Sequence, residues 1–160
     1  MEGVHAVLSA LGPPTMPTKA PFHPNNTPLA HAYSRIIRVM QSHNVKRLIA
    51  LGTSSIKDPK DKFSVVFQIL INGVKTLAYN AYKDVVAIGD TIRSEEGQEL
   101  IWTIVRVPLL TNAESKSVIA GYVGDGRTGS RLSRSAFAAF VIGELDNNEW
   151  TRKAPLISSC

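Results

Sequence analysis

Three short stretches carry side chains that could do chemistry. Thr53 and Ser54 follow the apolar run VKRLIALG, so two hydroxyls fall just past the carboxyl end of a predicted strand, where open α/β sheets place their ligands. The same hydroxyls can instead bond the backbone beside them. Tyr79 and Lys83 stand at the spacing that brings two side chains to one helix face, and an ammonium beside a phenol lowers the phenol's pKa. A lysine at the surface beside a packing tyrosine gives the same pattern, and Tyr82 is an alternative aromatic on another face. Arg106 lies near the end of a second apolar run, IWTIVRV, with Pro108 after it. A guanidinium there can take a phosphate or carboxylate bidentately, or pair with an Asp or Glu of the chain itself.

Other chemistries find little support. His5, His23, His31 and His43 are scattered without ligand spacing, and Cys160, the single cysteine, is the last residue, so no metal centre or catalytic thiol is expected. The hexapeptide GDGRTG, residues 124–129, has glycines spaced as in a phosphate-binding loop, but it follows a late predicted strand and reads as a turn.

These groups need a scaffold, and 160 residues at 44% apolar and 19% charged suit one domain, 1–160, with a buried core. No apolar run reaches the ~20 residues of a membrane span, and no basic stretch precedes an apolar one as in a signal peptide. A cytoplasmic protein with no membrane contact is expected. The net charge is +5, yet the basic residues are spread out, without a dense run, an aromatic-rich strand pair or zinc spacing. That pattern suits a solvated surface or an anionic small ligand better than nucleic acid.

Along the chain, Val4 to Leu11 reads as a strand apolar on both faces, the pattern of an interior strand in a parallel sheet. Gly12 to Asn26, with five of the nine prolines, reads as a long exposed loop. Thr27 is the expected N-cap of a helix from Pro28 to His43, with Asn44 as a left-handed stop. A buried strand over Val45 to Leu51 completes a βαβ unit. After the polar loop IKDPKDK, a helix over Phe63 to Leu70 is expected to break near Asn72-Gly73, with another from Lys75 to Arg93 ended by SEEGQE. Strands follow at Ile101 to Val107 and Ser117 to Val123, then a helix capped by Ser133 through Leu145, and a last short strand within Trp150 to Ser158. The order is that of an α/β, three-layer domain with a mostly parallel sheet.

Four stretches, VHAVLSALG, NVKRLIALGTSS, WTIVRVPLL and GDGRTGSRLSRSAFAAFVIGEL, resemble in order and spacing the atypical short-chain dehydrogenase/reductases, with their NmrA-like and biliverdin/flavin-reductase-like members. The resemblance implies a Rossmann fold that binds NAD(P), NADPH ahead of NADH. It covers the later half to two-thirds of a typical member, so the chain reads as N-terminally truncated, without the glycine-rich turn that receives the pyrophosphate. By the same resemblance Leu11, Gly12 and Pro13 lie beside the nicotinamide ribose, and Arg106 and Pro108 line the nicotinamide side. Thr53 or Ser54 takes the place of the active-site hydroxyl, and Tyr79 with Lys83 that of the tyrosine-lysine pair. Two positions depart from the family: Leu109 stands where some relatives have a histidine, and Ser133-Arg134-Ser135-Ala136 lacks the usual acid.

The expected activity is hydride transfer between a nicotinamide cofactor and a small carbonyl or quinone-type substrate. The alternatives are a noncatalytic, nucleotide-sensing protein of NmrA type and an inactive fragment. Cofactor binding by this chain alone is expected to be weak or absent, because the adenine and pyrophosphate half supplies much of a dinucleotide's affinity. The open edge of the first strand is the expected site of self-association.

Overall fold

A computed structural model describes residues 3–13, 22–94 and 97–160. Much of the proline-rich loop and Glu95-Glu96 of SEEGQE lie outside the described residues. The elements run β1 (Ala6–Ser9), α1 (Pro28–Ser42), β2 (Arg47–Thr53), α2 (Val65–Leu77), α3 (Tyr79–Arg93) and β3 (Ile101–Val107). Then come β4 (Leu109–Thr111), β5 (Val118–Gly121), β6 (Arg131–Ser133), α4 (Arg134–Asn147) and β7 (Leu156–Ser159).

Five strands form the main sheet in the order β1-β2-β3-β7-β5. The first four are parallel and β5 closes the far edge antiparallel to β7. The expected α/β class with a mostly parallel sheet is what the chain adopts. β2 and β3 are apolar on both faces because both faces are covered, and alternate residues serve opposite cores. Leu48, Ala50 and Ile104 pack against Tyr33, Ile37 and Met40 of α1 and Val85, Ile88 and Ile92 of α3. Ile49, Val105 and Ile157 pack on the other side against Ala136 and Val141 of α4. β1 lies at the sheet edge, paired with β2 alone among the described strands, and Val4 and Leu8 are exposed.

Local signals set several boundaries. Pro28 occupies the first turn of α1, and Asn44 takes the expected left-handed conformation, φ 54°, just beyond its end. Thr27, expected as the N-cap, is itself left-handed at φ 49° and makes no side-chain cap. The capping group comes from α3 instead: the buried Asp84 carboxylate accepts the amides of Leu29 and Ala30 at 3.0 and 2.9 Å, and His23 Nε2 lies 2.7 Å from it. Sequence cannot show this cap, because 54 residues separate Asp84 from Ala30. Ser133 does cap α4 as expected, its Oγ accepting the Ala136 amide at 3.0 Å.

Three expectations need correction. α2 runs through Asn72-Gly73, and the break falls at Ala78, φ −145° and ψ 54°, so Lys75 lies inside α2. A mid-helix glycine costs only about 1 kcal/mol against alanine, too little to end a helix that has neighbours to pack on. The strands expected over Ser117 to Val123 and Trp150 to Ser158 shrink to the four-residue β5 and β7. β4 and β6 form a separate two-stranded parallel sheet, too short to leave an alternating pattern.

GDGRTG is a turn closed by its own acid. The Asp125 carboxylate accepts the amides of Tyr122, Arg127 and Thr128 at 2.9 Å each, and the Thr128 hydroxyl at 3.1 Å. Gly124, at φ +71°, is required here, since a Cβ would come 2.6 Å from the Lys62 carbonyl oxygen. The slight burial of Asp125 would raise its pKa, but those hydrogen bonds prevail and hold it at about 2, against 3.8 ordinarily. A carboxyl more acidic folded than unfolded stabilises the fold above the unfolded value, and the contribution vanishes as pH falls through the folded one. Asp125→Asn is therefore expected to lower stability by about 1–2 kcal/mol at neutral pH. Urea unfolding of the two proteins should converge between pH 3.8 and about 2. A gap that stays constant across that range would exclude this role.

Candidate active site

The site forms where β2 and β3 end side by side, with Thr53 opposite Val107 in parallel register. The chain then turns away in both places, leaving Thr53, Ser54 and Ser55 on one side and Val107, Pro108 and Leu109 on the other around a cleft of about 160 Å³. Leu70, Ile71 and Val74 of α2 form one wall, and Ala81, Tyr82 and Val85 of α3 another. Pro13 reaches the rim from beyond β1. Its approach is fixed by Tyr33, whose hydroxyl donates to Ser9 Oγ at 2.9 Å and lies 3.4 Å from the Leu11 carbonyl oxygen. Burial pushes the Tyr33 phenol above its ordinary pKa, against the hydrogen bond to Ser9.

The cleft is apolar apart from hydroxyls. Thr53 Oγ1 accepts the Ser55 amide at 3.2 Å, and the Ile56 amide donates to the Thr53 carbonyl at 3.0 Å, so a tight turn orients the side chain. The bond uses the oxygen as acceptor and leaves the hydroxyl proton available to a ligand oxygen. Tyr82 brings a phenol, with the Lys75 ammonium 5.9 Å from its ring centroid.

Arg106 is fully buried under this region and bonded throughout. Its Nε donates to the Ala154 carbonyl at 2.6 Å and Nη1 to the Ile56 carbonyl at 2.9 Å. Nη1 and Nη2 clasp the Asp61 carboxylate at 2.6 and 2.8 Å. Of the two partners open to it in the sequence, the structure contains the chain's own aspartate. Asp61 also accepts the amides of Asp58 and Val123. Burial would raise the Asp61 pKa, but the Arg106 hydrogen bonds, the backbone amides and the guanidinium charge outweigh it and hold the carboxyl below its usual range.

Of the residues singled out in the sequence, Thr53, Ser54, Pro13 and Pro108 meet at the cleft. Leu11 packs into the α1 and α3 core, Gly12 lies against Leu51, and Arg106 is beneath the floor, so none of these lines the cleft. Tyr79 and Lys83 are both exposed and also outside it. Ser55, which no motif selected, and Tyr82, the alternative aromatic of the sequence, are further polar lining groups. Ser55 is visible as the third hydroxyl of the run, and the face of α3 that packs inward brings Tyr82, not Tyr79, to the cleft. Among the described residues no group of three His, Cys, Asp or Glu could hold a metal ion.

A family model described as NAD(P)H-binding matches residues 1–148. The chain belongs to the NAD(P)H-binding family. No curated protein matches it. Solved structures share its fold, among them an oxidoreductase of Lactococcus lactis at 16% identity and TM-score 0.68, over 99% of this chain and 63% of that one. A short-chain dehydrogenase/reductase of Veillonella parvula in complex with NADP is 14% identical at TM-score 0.66, over 81% and 58%. A Rossmann-fold NAD(P)-binding family protein of Shigella flexneri is 18% identical at TM-score 0.57, over 98% and 61%. The chain thus spans less than two thirds of the length of these structures, and at such identities the likeness shows the fold alone.

Removing one partner of a buried ion pair strands the other charge. Asp61→Ala is expected to cost about 3–5 kcal/mol in urea unfolding, while Arg106→Met, which removes the buried charge, costs less. Equal losses in the two variants would contradict the pairing.

Proposed function

We propose that the cleft at the ends of β2 and β3 holds the nicotinamide end of NAD(P)H beside a small, largely apolar carbonyl or quinone-type substrate. The observation that carries this reading is that four hydroxyl-bearing residues, Thr53, Ser54 and Ser55 after β2 and Tyr82 of α3, line an otherwise apolar cleft at the carboxyl ends of parallel strands. At about 160 Å³ the space suits one ring, well below the ~300–1,000 Å³ that encloses a whole drug-sized ligand. The phosphate end of the cofactor finds less. In the one glycine-spaced loop among the described residues, GDGRTG, the Arg127 and Thr128 amides are held by Asp125 and the Gly129 amide by Ser158 Oγ. Weak binding by the chain alone follows, with Kd on the order of 0.1 mM or above.

When bound, the cofactor supplies hydride. The protein's part is to orient and protonate. Thr53, its oxygen already held by the Ser55 amide, donates its hydroxyl hydrogen to the substrate oxygen and so polarises the carbonyl. Tyr82 is the candidate proton source, since a phenol yields a proton more readily than an alkyl alcohol. Val107, Pro108 and Leu109 keep water from the reacting atoms. The exposure of Tyr79 and Lys83 favours a second reading, in which the chain binds nucleotide and senses it without turnover.

Titrating NADPH and NADH against cofactor fluorescence, with a quinone as acceptor, separates these. Saturable binding with turnover is expected, and Thr53→Ala and Tyr82→Phe should each lower kcat roughly 10- to 100-fold. Binding without turnover supports the sensor. No saturable binding, or turnover untouched by both substitutions, overturns the proposal.

A further inference from the structure

α2 is a helix with its hydrophobic side out. Of its 13 residues only Phe67 is buried, while Val65 is 59%, Val66 55%, Ile69 66% and Leu77 67% exposed. At 100° per residue these four and Gly73 fall on one stripe about 120° wide that also holds Thr76, whose hydroxyl is turned onto the Asn72 carbonyl, while Phe67 and Ile71 lie on the inward side and Leu70 at the margin. Gln68, Asn72 and Lys75 lie to one flank of the stripe, so no charge interrupts it. Phe63, 78% exposed, and Tyr79, 57% exposed, adjoin its two ends. An apolar helical face left in water is an interaction surface more often than an accident.

Gly73 sharpens the argument. It occupies the middle of the stripe, where alanine would be more stable by up to about 1 kcal/mol. Its backbone is ordinary helix, and a Cβ built on it meets nothing within 4 Å. Nothing inside the chain therefore calls for glycine at this position. A glycine at the centre of an exposed apolar helix face lets a second helix approach closely.

We infer that α2 is a homodimer interface, in which two copies cross at Gly73 about a two-fold axis. The occupant is a second copy because the face can match itself about a two-fold axis: uncharged along its length, small at the centre and carrying bulky apolar side chains on both sides of it, as an isologous contact requires. The exposed apolar groups together offer on the order of 800 Å² per partner, the share that a standard stable interface buries. The edge of β1, the other candidate for self-association, has only four residues in its strand and exposes only Val4 and Leu8. The inner side of α2 supplies Leu70, Ile71 and Val74 to the cleft, so dimerisation would brace one cleft wall.

Sedimentation equilibrium tests the interface independently of cofactor binding. A dimer is expected, with Ile69→Lys weakening it roughly 30-fold or more and Leu8→Lys leaving it unchanged. Both side chains are exposed, so circular dichroism should show the fold retained in each. In a Cys160→Ser background, Gly73→Cys should form an intermolecular disulfide on mild oxidation, since a residue on a two-fold axis meets its own copy. A monomer at all concentrations, or a dimer that survives Ile69→Lys and is lost with Leu8→Lys, overturns the inference.

Discussion

The buried Arg106–Asp61 clasp is the constraint on which the candidate site depends. A buried guanidinium is costly unless it is paired and hydrogen-bonded, and Arg106 makes four hydrogen bonds, to the Ala154 and Ile56 carbonyls and to both oxygens of Asp61. One side chain on β3 therefore fixes the segment leading into β7 and the loop that follows β2. Asp61 passes the constraint on through the amides of Asp58 and Val123, and Asp58 in turn accepts the Ala154 amide. The polar stretch IKDPKDK, a solvated loop by composition, is thus a strap across the strand ends. Its rigidity holds Thr53, Ser54 and Ser55 against Val107 and Pro108.

A second buried pair acts on the opposite layer. Arg47 Nη2 donates to Glu144 Oε1 at 2.9 Å, and Thr103 donates to the same carboxylate, tying β2 and β3 to α4. The two arginines hold the central strands to different partners: Arg106 to the loops that build the cleft, Arg47 to the helix that covers the far face. Chemistry and cover are positioned by separate ion pairs on one short sheet. The apolar outer stripe of α2 adds a third requirement, because the helix that walls the cleft has little of its own surface buried.

What the amino-acid order reveals is what short-range physics decides. β2 and β3 read as interior strands because both faces are apolar, Ser133 reads as a cap because the amide that donates to it is three residues away, and the hydroxyls after β2 follow from the strand itself. Long-range partners stay hidden. Nothing local in IKDPKDK marks Asp61 as the counter-charge of Arg106, and nothing near Thr27 marks Asp84 as the cap of α1. Asn72-Gly73 looks like a stop, yet α2 continues to Leu77, because one unfavourable residue costs too little to end a helix. The face of α3 that packs inward, through Ala81, Val85 and Ile88, decides which tyrosine reaches the cleft, Tyr82 in place of Tyr79.

The central claim is that strand ends held by Arg106 present a cofactor-facing cleft. Amide hydrogen exchange with and without saturating NADPH addresses it directly. The account predicts slowed exchange at Ser54 and Ser55, at Val107 and Leu109, and along the cleft side of α3 from Ala81 to Val85. Exchange unchanged there, or protection confined to the Gly124–Gly129 turn, would contradict it.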